Sequence, residues 1–126
     1  MFSSSMPNLY TSDIDRATHF YRDLLGFEQT YQFPGPGRPE HVELSLGASR
    51  LAVTDDRAAM AEGLPSPVAG HAHELVVWCD DVDRAVATLR EAGTTVIVKP
   101  HQRVAGHRRA YVADRDGTWE AIVGEH

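Results

Sequence analysis

Three ionisable side chains in the sequence, His41, Glu43 and Glu74, have the types that acid–base chemistry needs. His41 and Glu43 are two positions apart in the segment HVELSL, and in a β-strand that spacing places both side chains on one face. A metal-free acid–base enzyme would pair His41 with Glu43 or Glu74, using a carboxylate whose pKa is raised by burial.

Aromatic side chains and one arginine form a second candidate group, with the chemistry of ligand binding. If the surrounding segments are strands, alternation places these side chains on the faces that point away from the core. Flat aromatic or conjugated ligands stack on such rings, and a guanidinium pairs with an anionic group or stacks as a cation. The alternative is that the tryptophans only fill the space between the sheets, since large aromatic side chains are commonly buried. The residues of this group are Tyr10, Trp78, Arg109, Tyr111 and Trp119.

The composition restricts the classes of protein that fit. A length of 126 residues suits one domain, and a hydrophobic content of 42% is enough for a core. The net charge of -6 and the lack of a basic stripe argue against nucleic-acid binding. No apolar run approaches the roughly 20 residues of a membrane span. The single cysteine, Cys79, fits a reducing compartment. We therefore predict a cytoplasmic protein that binds neither nucleic acid nor a membrane.

An internal repeat organises the chain. The segments SDIDRATHFYRDLLGF and DDVDRAVATLREAG are similar, and Asp13 aligns with Asp81 and Arg16 with Arg84 at an offset of 68 positions. Each segment has apolar residues at spacings of three and four, and each contains a glycine near its end. Each therefore predicts a helix with an aspartate at its beginning.

Strand-like segments surround both predicted helices. Their order is β-α-β-β-β, linker, β-α-β-β-β, which indicates an α+β fold. We predict one domain over residues 1–126, with module one at about 6–55, a linker at about 56–71 and module two at about 72–124. The two tandem modules would form a cleft between curved mixed sheets. The predicted strands are Pro7–Thr11, Phe27–Gln32, His41–Leu46, Arg50–Thr54, Glu74–Cys79, Thr95–Lys99, His107–Ala113 and Trp119–Val123.

This arrangement resembles the vicinal oxygen chelate superfamily, which includes glyoxalases, bleomycin-resistance proteins and extradiol dioxygenases. The segment DIDRATHFYRDLLGF, from Asp13 to Phe27, is similar to the family's first helix with its closing Leu-Gly-Phe. The segment AYVADRDGT, from Ala110 to Thr118, resembles the family's last hairpin, with Arg115 where the family has proline. The resemblance covers nearly the whole chain and implies the fold. It does not imply one function, because this fold hosts both enzymes and drug-binding proteins.

The resemblance also implies where a metal would bind. Metal-dependent members have four ligands, His, Gln or Glu, at inward-facing strand positions that correspond here to Met6, Ala52, Glu74 and Ala121. Only Glu74 is a competent ligand, whereas a catalytic site needs about three. We therefore predict no cofactor. The alternative is one divalent metal ion, if a shift of one residue in the last strand turns Glu120 inward in place of Ala121.

The replaced ligand positions and the aromatic group together favour metal-independent binding of a small aromatic or conjugated molecule. This is similar to antibiotic-sequestering members of the family, so antibiotic resistance is one hypothesis. The alternative is a glyoxalase-like metal-dependent lyase, isomerase or dioxygenase, and the sequence leaves open whether any reaction is catalysed. The resemblance further implies a homodimer, whose second chain could complete the cleft. The ligand-binding residues that we predict are Tyr10, His41, Glu43, Glu74, Trp78, Arg109, Tyr111 and Trp119.

Overall fold

The computed structural model describes residues 1, 3–68, 70, 73–104 and 107–125. The chain divides into two compact units, Met1–Val68 and Ala69–His126, and the boundary falls inside the predicted linker. The described residues of each unit form a four-stranded mixed sheet with at least one helix, which confirms the predicted α+β class. No helix in these ranges is long and apolar enough to cross a membrane.

Unit one contains the first predicted module and most of the predicted linker. Its elements are β1 (Asn8–Thr11), α1 (Ile14–Thr18), a π-helix (His19–Leu24), β2 (Glu28–Phe33), β3 (His41–Leu46), β4 (Ser49–Asp55) and α2 (Asp56–Ala61). The strand order is β1-β4-β3-β2, in which β1 is parallel to β4 and the other neighbours are antiparallel. Helix α2 lies within the predicted linker and contacts β1 and β4.

Unit two repeats the arrangement of unit one. Its elements are β5 (Glu74–Trp78), α3 (Val82–Glu91), β6 (Thr95–Val104), β7 (His107–Ala113) and β8 (Trp119–Glu125). The strand order is β5-β8-β7-β6, again with one parallel pair, β5 and β8, and two antiparallel pairs. The predicted order of elements is therefore present in both units.

The repeated aspartates begin the main helix of each unit. The side chain of Asp13 accepts a hydrogen bond from the backbone N–H of Arg16, and that of Asp81 accepts one from Arg84, both at 3.1 Å. Such a cap satisfies a backbone donor that has no partner within the helix. A glycine with positive φ follows each helix, as predicted. The two helices therefore begin and end by the same local chemistry.

The first helix differs from its prediction in its second half. After Thr18 the backbone is π-helical, and the N–H of Leu25 donates to the carbonyl of Phe20, five residues earlier, at 3.0 Å. Phe20 and Tyr21 are consecutive in the sequence, and both are buried, with their rings meeting edge to face at 5.0 Å. An α-helix would separate neighbouring side chains by about 100°. The wider π turn goes together with the burial of both rings.

In each unit the helix covers one face of the sheet. Helix α1 contacts β3 and β4, and α3 contacts β6, β7 and β8. The buried face of the first sheet pairs Val42 with Val53 and Leu44 with Leu51. We call the other face of each sheet its open face. Because side chains alternate along a strand, every second residue lies on the open face.

Two predicted positions were wrong. Alternation along the strand His41–Leu46 predicts Leu46 in the core with Val42 and Leu44, but Leu46 is exposed, because it pairs with Ser49 at the end of the hairpin. Strand β6 was expected to end at Lys99, but it continues to Val104 and pairs with β7 through three register shifts. β6 is an edge strand, where Pro100 is tolerated because one side of the strand needs no ladder donor.

Gly124 allows β8 to approach the end of β5 closely, and its substitution should destabilise the protein. A Cβ atom at this position would lie 2.9 Å from the carbonyl oxygen of Cys79 and 3.0 Å from Cγ2 of Val82. We expect Gly124→Ala to lower the free energy of unfolding by about 1–3 kcal/mol, the usual cost of overpacking. Urea denaturation measures it. Gly35→Ala is the matched control, since nothing lies within 4 Å of its added Cβ. Equal stability of the two variants would contradict the close approach.

Candidate functional site

A pocket of about 600 Å³ lies in unit one, at the end of the sheet where β1 and β4 finish and β3 begins. Helix α2 forms one wall, and the connection between β2 and β3 contributes Arg38, Pro39 and Glu40. We call this cavity the unit-one pocket. The lining residues are Asn8, Tyr10, Phe33, Arg38, Pro39, Glu40, His41, Thr54, Asp55, Arg57, Ala58, Ala59, Ala61, Glu62 and Leu64.

A continuous chain of hydrogen bonds runs across the open face from this pocket. The hydroxyl of Thr54 donates to Oδ1 of Asn8 at 2.7 Å, and Nδ1 of His41 lies 2.8 Å from the same hydroxyl. Nε2 of His41 lies 2.9 Å from Oε2 of Glu43, whose Oε1 accepts from Arg50 at 3.0 Å. We call these five residues the polar chain. Strand pairing brings these residues together. His41 on β3 is opposite Thr54 on β4, and β1, which contains Asn8, lies on the other side of β4, where Tyr10 pairs with Thr54.

Glu43 is held in its ionised form. The hydrogen bond from His41, followed by that from Arg50, lowers the pKa of Glu43, although partial burial acts against them. The hypothesis of an acid–base enzyme required a carboxylate with a raised pKa, and Glu43 does not meet that requirement. An ionised carboxylate only accepts hydrogen bonds. Glu43 therefore fixes the imidazole of His41, and its Oε2 requires a proton on Nε2.

Asp55 attaches the helical wall of the pocket to the sheet. Its carboxylate accepts from the backbone N–H of Arg57 at 2.9 Å and from the guanidinium of Arg57 at 3.0 and 2.8 Å. These hydrogen bonds, of which the side-chain pair is the largest effect, lower the pKa of the buried Asp55 to about 2. Asp55 thus begins α2 and neutralises the charge of Arg57 beside the pocket.

Three aromatic side chains are exposed on the open face of unit one. Tyr10, Tyr31 and Phe33 are 39%, 50% and 55% exposed. Tyr31 pairs with Glu43 and Phe33 with His41, and the rings of Tyr31 and His41 meet edge to face at 6.2 Å. The sequence analysis identified Tyr10 but not Tyr31 or Phe33. Their pairing with β3 is what places them on the open face. A bulge between Gln29 and Tyr31 shifts the register of β2, so this pairing could not be predicted from the sequence.

The remaining predicted ligand-binding residues lie on the open face of unit two. Trp78 is 64% exposed. The guanidinium of Arg109 donates to the hydroxyl of Tyr111 at 3.1 Å. Trp119 pairs with Glu74 and is half-buried. The predicted set therefore divides into Tyr10, His41 and Glu43 on one sheet and the other five residues on the other.

The side chains at the family's metal positions do not fit a metal site. Ala52 and Ala121 offer no ligand atom, and they lie on the open faces opposite Asn8 and Val76. Glu120 is paired with Leu75 and is buried on the helix-covered face, whereas Glu74 pairs with Trp119 on the open face. The two carboxylates of the alternative metal site are therefore not brought together. Within the described ranges, no three His, Cys, Asp or Glu side chains are grouped closely enough to hold a metal ion.

The chain matches one known protein family over most of its length. The family model described as the Glyoxalase/Bleomycin resistance protein/Dioxygenase superfamily matches residues 5–122, so the chain belongs to this superfamily. The resemblance to the vicinal oxygen chelate superfamily is thereby confirmed. No curated protein matches the chain at a significant level.

Several solved structures have the same fold. A glyoxalase/bleomycin resistance protein/dioxygenase family enzyme from Burkholderia phytofirmans is 24% identical, with a TM-score of 0.83 over 97% of this chain and 98% of that one. A lactoylglutathione lyase from Agrobacterium tumefaciens is 24% identical, with a TM-score of 0.71 over 97% and 93%. A genomically encoded fosfomycin resistance protein from Listeria monocytogenes is 14% identical, with a TM-score of 0.76 over 100% and 95%. At these identities the likeness shows the fold alone.

The Asp55–Arg57 pair should make stability depend on pH in the acid range. Because the pKa of Asp55 is lower in the folded protein than in the unfolded chain, its contribution is present above about pH 4 and is lost as the pH falls towards 2. We expect Asp55→Asn to cost about 1–2 kcal/mol near pH 7, discounted because Arg57 is largely exposed, and the difference should shrink below pH 4.

Urea denaturation at pH 7, 4 and 2.5 measures this effect. Glu28→Gln, a change at an exposed carboxylate of β2, is the control and should alter stability little at any of these pH values. A loss in Asp55→Asn that stays the same down to pH 2.5 would contradict the ion pair as its cause.

Proposed function

We propose that the protein binds a small planar aromatic or conjugated molecule in the unit-one pocket, without a metal ion and without changing the molecule. The observation that carries the proposal is the exposure of Tyr10 and Phe33 at a cavity that also contains polar groups. Large apolar side chains exposed together around a concave surface are typical of ligand sites. The volume of about 600 Å³ is within the usual range for small-molecule sites.

The lining supports a flat ligand. Aromatic rings gain about 0.5–1.5 kcal/mol from stacking or edge contacts beyond the burial of their area. On the opposite wall, Ala58, Ala59 and Ala61 of α2 are small and leave room for a ring system. Leu64 adds an exposed apolar side chain at the rim. An apolar ring would therefore contact side chains on both sides of the pocket.

The polar chain supports a ligand with a defined orientation. His41 and Glu43 hold each other in place, so the polar edge of the pocket is preorganised before a ligand arrives. Arg38 is exposed and has no ion-pair partner in the described part of the chain. It is available for an anionic substituent or for stacking as a cation.

Metal independence is part of the proposal, and it is supported by the donor set. The family's metal positions contain two alanines and one methionine beside Glu74, and a catalytic metal needs about three protein ligands. The structural relatives include a fosfomycin resistance protein. By analogy, we propose that binding sequesters a harmful compound. The cytoplasmic location and the homodimer stay predictions.

Truncating an aromatic side chain of the pocket should weaken binding of a planar probe. The probe is 9-fluorenone, a flat tricyclic ketone, and its affinity is measured by calorimetry. We expect Phe33→Ala and Tyr10→Ala each to weaken binding by about 1–3 kcal/mol, the scale of losing a large side chain at a ligand contact. Chromatography after incubation should recover the ketone unchanged. A new product would indicate an enzyme instead.

The matched control is Met60→Ala, which removes an exposed apolar side chain from α2 outside the pocket lining and should leave the affinity unchanged. Trp78→Ala belongs in the same series, because Trp78 is the most exposed aromatic residue of unit two. A loss there would extend the ligand contacts to its open face. Wild-type affinity in both pocket variants would refute the aromatic site.

Removal of metal should have no effect on binding. Chelator-treated protein is titrated by calorimetry with Zn²⁺, Ni²⁺, Mn²⁺ and, without oxygen, Fe²⁺. We expect no one-to-one binding, and we expect the same affinity for 9-fluorenone before and after the treatment. Tight one-to-one binding that Glu74→Ala abolishes would refute metal independence and favour lyase, isomerase or dioxygenase chemistry.

A further inference from the structure

The hydrogen atoms of the polar chain can be arranged in only two ways. Glu43 is ionised and accepts, so Nε2 of His41 carries a proton in both arrangements. The hydroxyl of Thr54 has one proton, and it lies between Oδ1 of Asn8 at 2.7 Å and Nδ1 of His41 at 2.8 Å. The direction of one hydrogen bond therefore determines the direction of the other.

In the first arrangement His41 is an imidazolium ion. In this arrangement its Nδ1–H donates to the oxygen of Thr54, 2.8 Å away. The hydroxyl of Thr54 then donates to Oδ1 of Asn8, which is the direction of that bond in the structure. The carbonyl of the Asn8 side chain is then occupied. Asn8 is exposed, and its amide N–H groups have no protein partner in the described ranges, so they are left for a ligand or for water.

In the second arrangement His41 is neutral. Nδ1 becomes an acceptor, so the hydroxyl of Thr54 turns to donate to it. Asn8 must then donate an amide N–H to Thr54, which requires a rotation of its carboxamide by about 180°. The carbonyl of Asn8 becomes the group left for a ligand. The change needs only a hydroxyl rotation and an amide flip, and no movement of the backbone.

We propose that Asn8 selects the ligand of the unit-one pocket by its hydrogen-bonding group, and that the proton on His41 sets whether Asn8 donates or accepts. With His41 charged, the preferred ligand is a planar molecule with an acceptor at its edge, such as a carbonyl. With His41 neutral, it is one with an N–H or O–H donor. This inference rests on the proposed ligand-binding function and adds the polar selectivity of the same site.

The titratable and charged side chains around His41 come from every element that packs against it. They are Glu43 on its own strand, Glu40 before it, Tyr10 on β1, Tyr31 on β2, Arg50 and Asp55 on β4, Arg38 in the connection, and Arg57 and Glu62 at α2. Asp55 is paired with Arg57, and Glu43 with Arg50. Of the residue types in this set together with histidine, only histidine ordinarily changes its charge between about pH 5 and pH 8.

Three tricyclic probes of nearly equal shape test the proposal. 9-Fluorenone has an acceptor at its edge, carbazole has an N–H donor at the same place, and fluorene has neither. None of them gains or loses a proton near neutral pH. Dissociation constants are measured at about pH 5.5 and 8.5, on either side of the usual histidine range. Fluorene corrects for any effect of pH on the apolar contacts.

We expect the preference to reverse with pH. At pH 5.5 the wild-type protein should bind 9-fluorenone about fivefold to tenfold more tightly than fluorene, the effect of one net hydrogen bond. At pH 8.5 this advantage should disappear, and carbazole should gain a similar advantage instead. Asn8→Ala should bind all three probes alike at both pH values.

Thr54→Val tests whether the hydroxyl of Thr54 couples the proton on His41 to the orientation of the Asn8 amide, and it leaves Asn8 itself in place to contact the ligand. Valine has nearly the shape of threonine but cannot transmit a hydrogen bond, so the variant should bind the probes with ratios that do not depend on pH. Ser45→Ala, a change on the same open face outside the polar chain, is the control and should keep the wild-type reversal. Nitrogen NMR follows the side-chain amide of Asn8 between pH 5.5 and 8.5, and its signal should move in the wild type but not in Thr54→Val.

The outcomes distinguish this inference from the proposed function. If all three probes bind with ratios that do not change with pH in the wild type, the planar ligand site is supported and the Asn8 switch is refuted. If no probe binds, both are refuted. A pH reversal that persists in Thr54→Val, or an Asn8 amide signal that stays the same between pH 5.5 and 8.5 in the wild type, would also refute the coupling.

Discussion

One helix cannot cover both faces of a four-stranded sheet, and this constraint determines where either unit can contact anything else. The covered face takes the aliphatic residues and becomes core. The side chains of the open face must either tolerate contact with water or be covered by a ligand or another protein surface. In unit one it contains aromatic rings and a hydrogen-bonded polar chain, and in unit two an exposed tryptophan and an arginine bonded to a tyrosine. The predicted ligand-binding residues of both units lie on the open faces.

The polar chain exists because strand pairing joins residues that are far apart in the sequence. His41 and Thr54 meet across β3 and β4, and Asn8 reaches Thr54 from β1. A histidine with both ring nitrogens in hydrogen bonds is held in one orientation. In the proposed coupling, the hydroxyl of Thr54 is the only group between His41 and Asn8, so the two hydrogen bonds change direction together.

The sequence was sufficient for features that depend on neighbouring residues. The caps at Asp13 and Asp81, the order of the elements and the shared face of His41 and Glu43 follow from spacing alone, and the structure has all of them. The partners of His41 could not be predicted, because Thr54 is 13 residues away and is reached only through the register of two strands. The face of the sheet on which Glu120 lies could not be predicted for the same reason, because it depends on the register of β8 with its neighbouring strands.

Long-range register also determined what was missed. The bulge in β2 shifts the alternation before Tyr31, so a count from the helix end does not identify the open-face residues of that strand. Helix α2 was expected as part of a linker, yet its contacts with β1 and β4 make it a wall of the pocket. Its short apolar sequence gave no indication of the strands against which it packs.

The repeat has a consequence for how this protein could have evolved. Strand register makes Val76, Val123, Arg109 and Tyr111 of the second sheet equivalent to Asn8, Thr54, His41 and Glu43 of the first. The chain thus contains two copies of one arrangement: the first has hydrogen-bonded polar side chains at these positions, and the second has aliphatic side chains at the positions of Asn8 and Thr54. A duplicated ancestor would allow the open faces of the two sheets to diverge separately while both sheets keep the same fold.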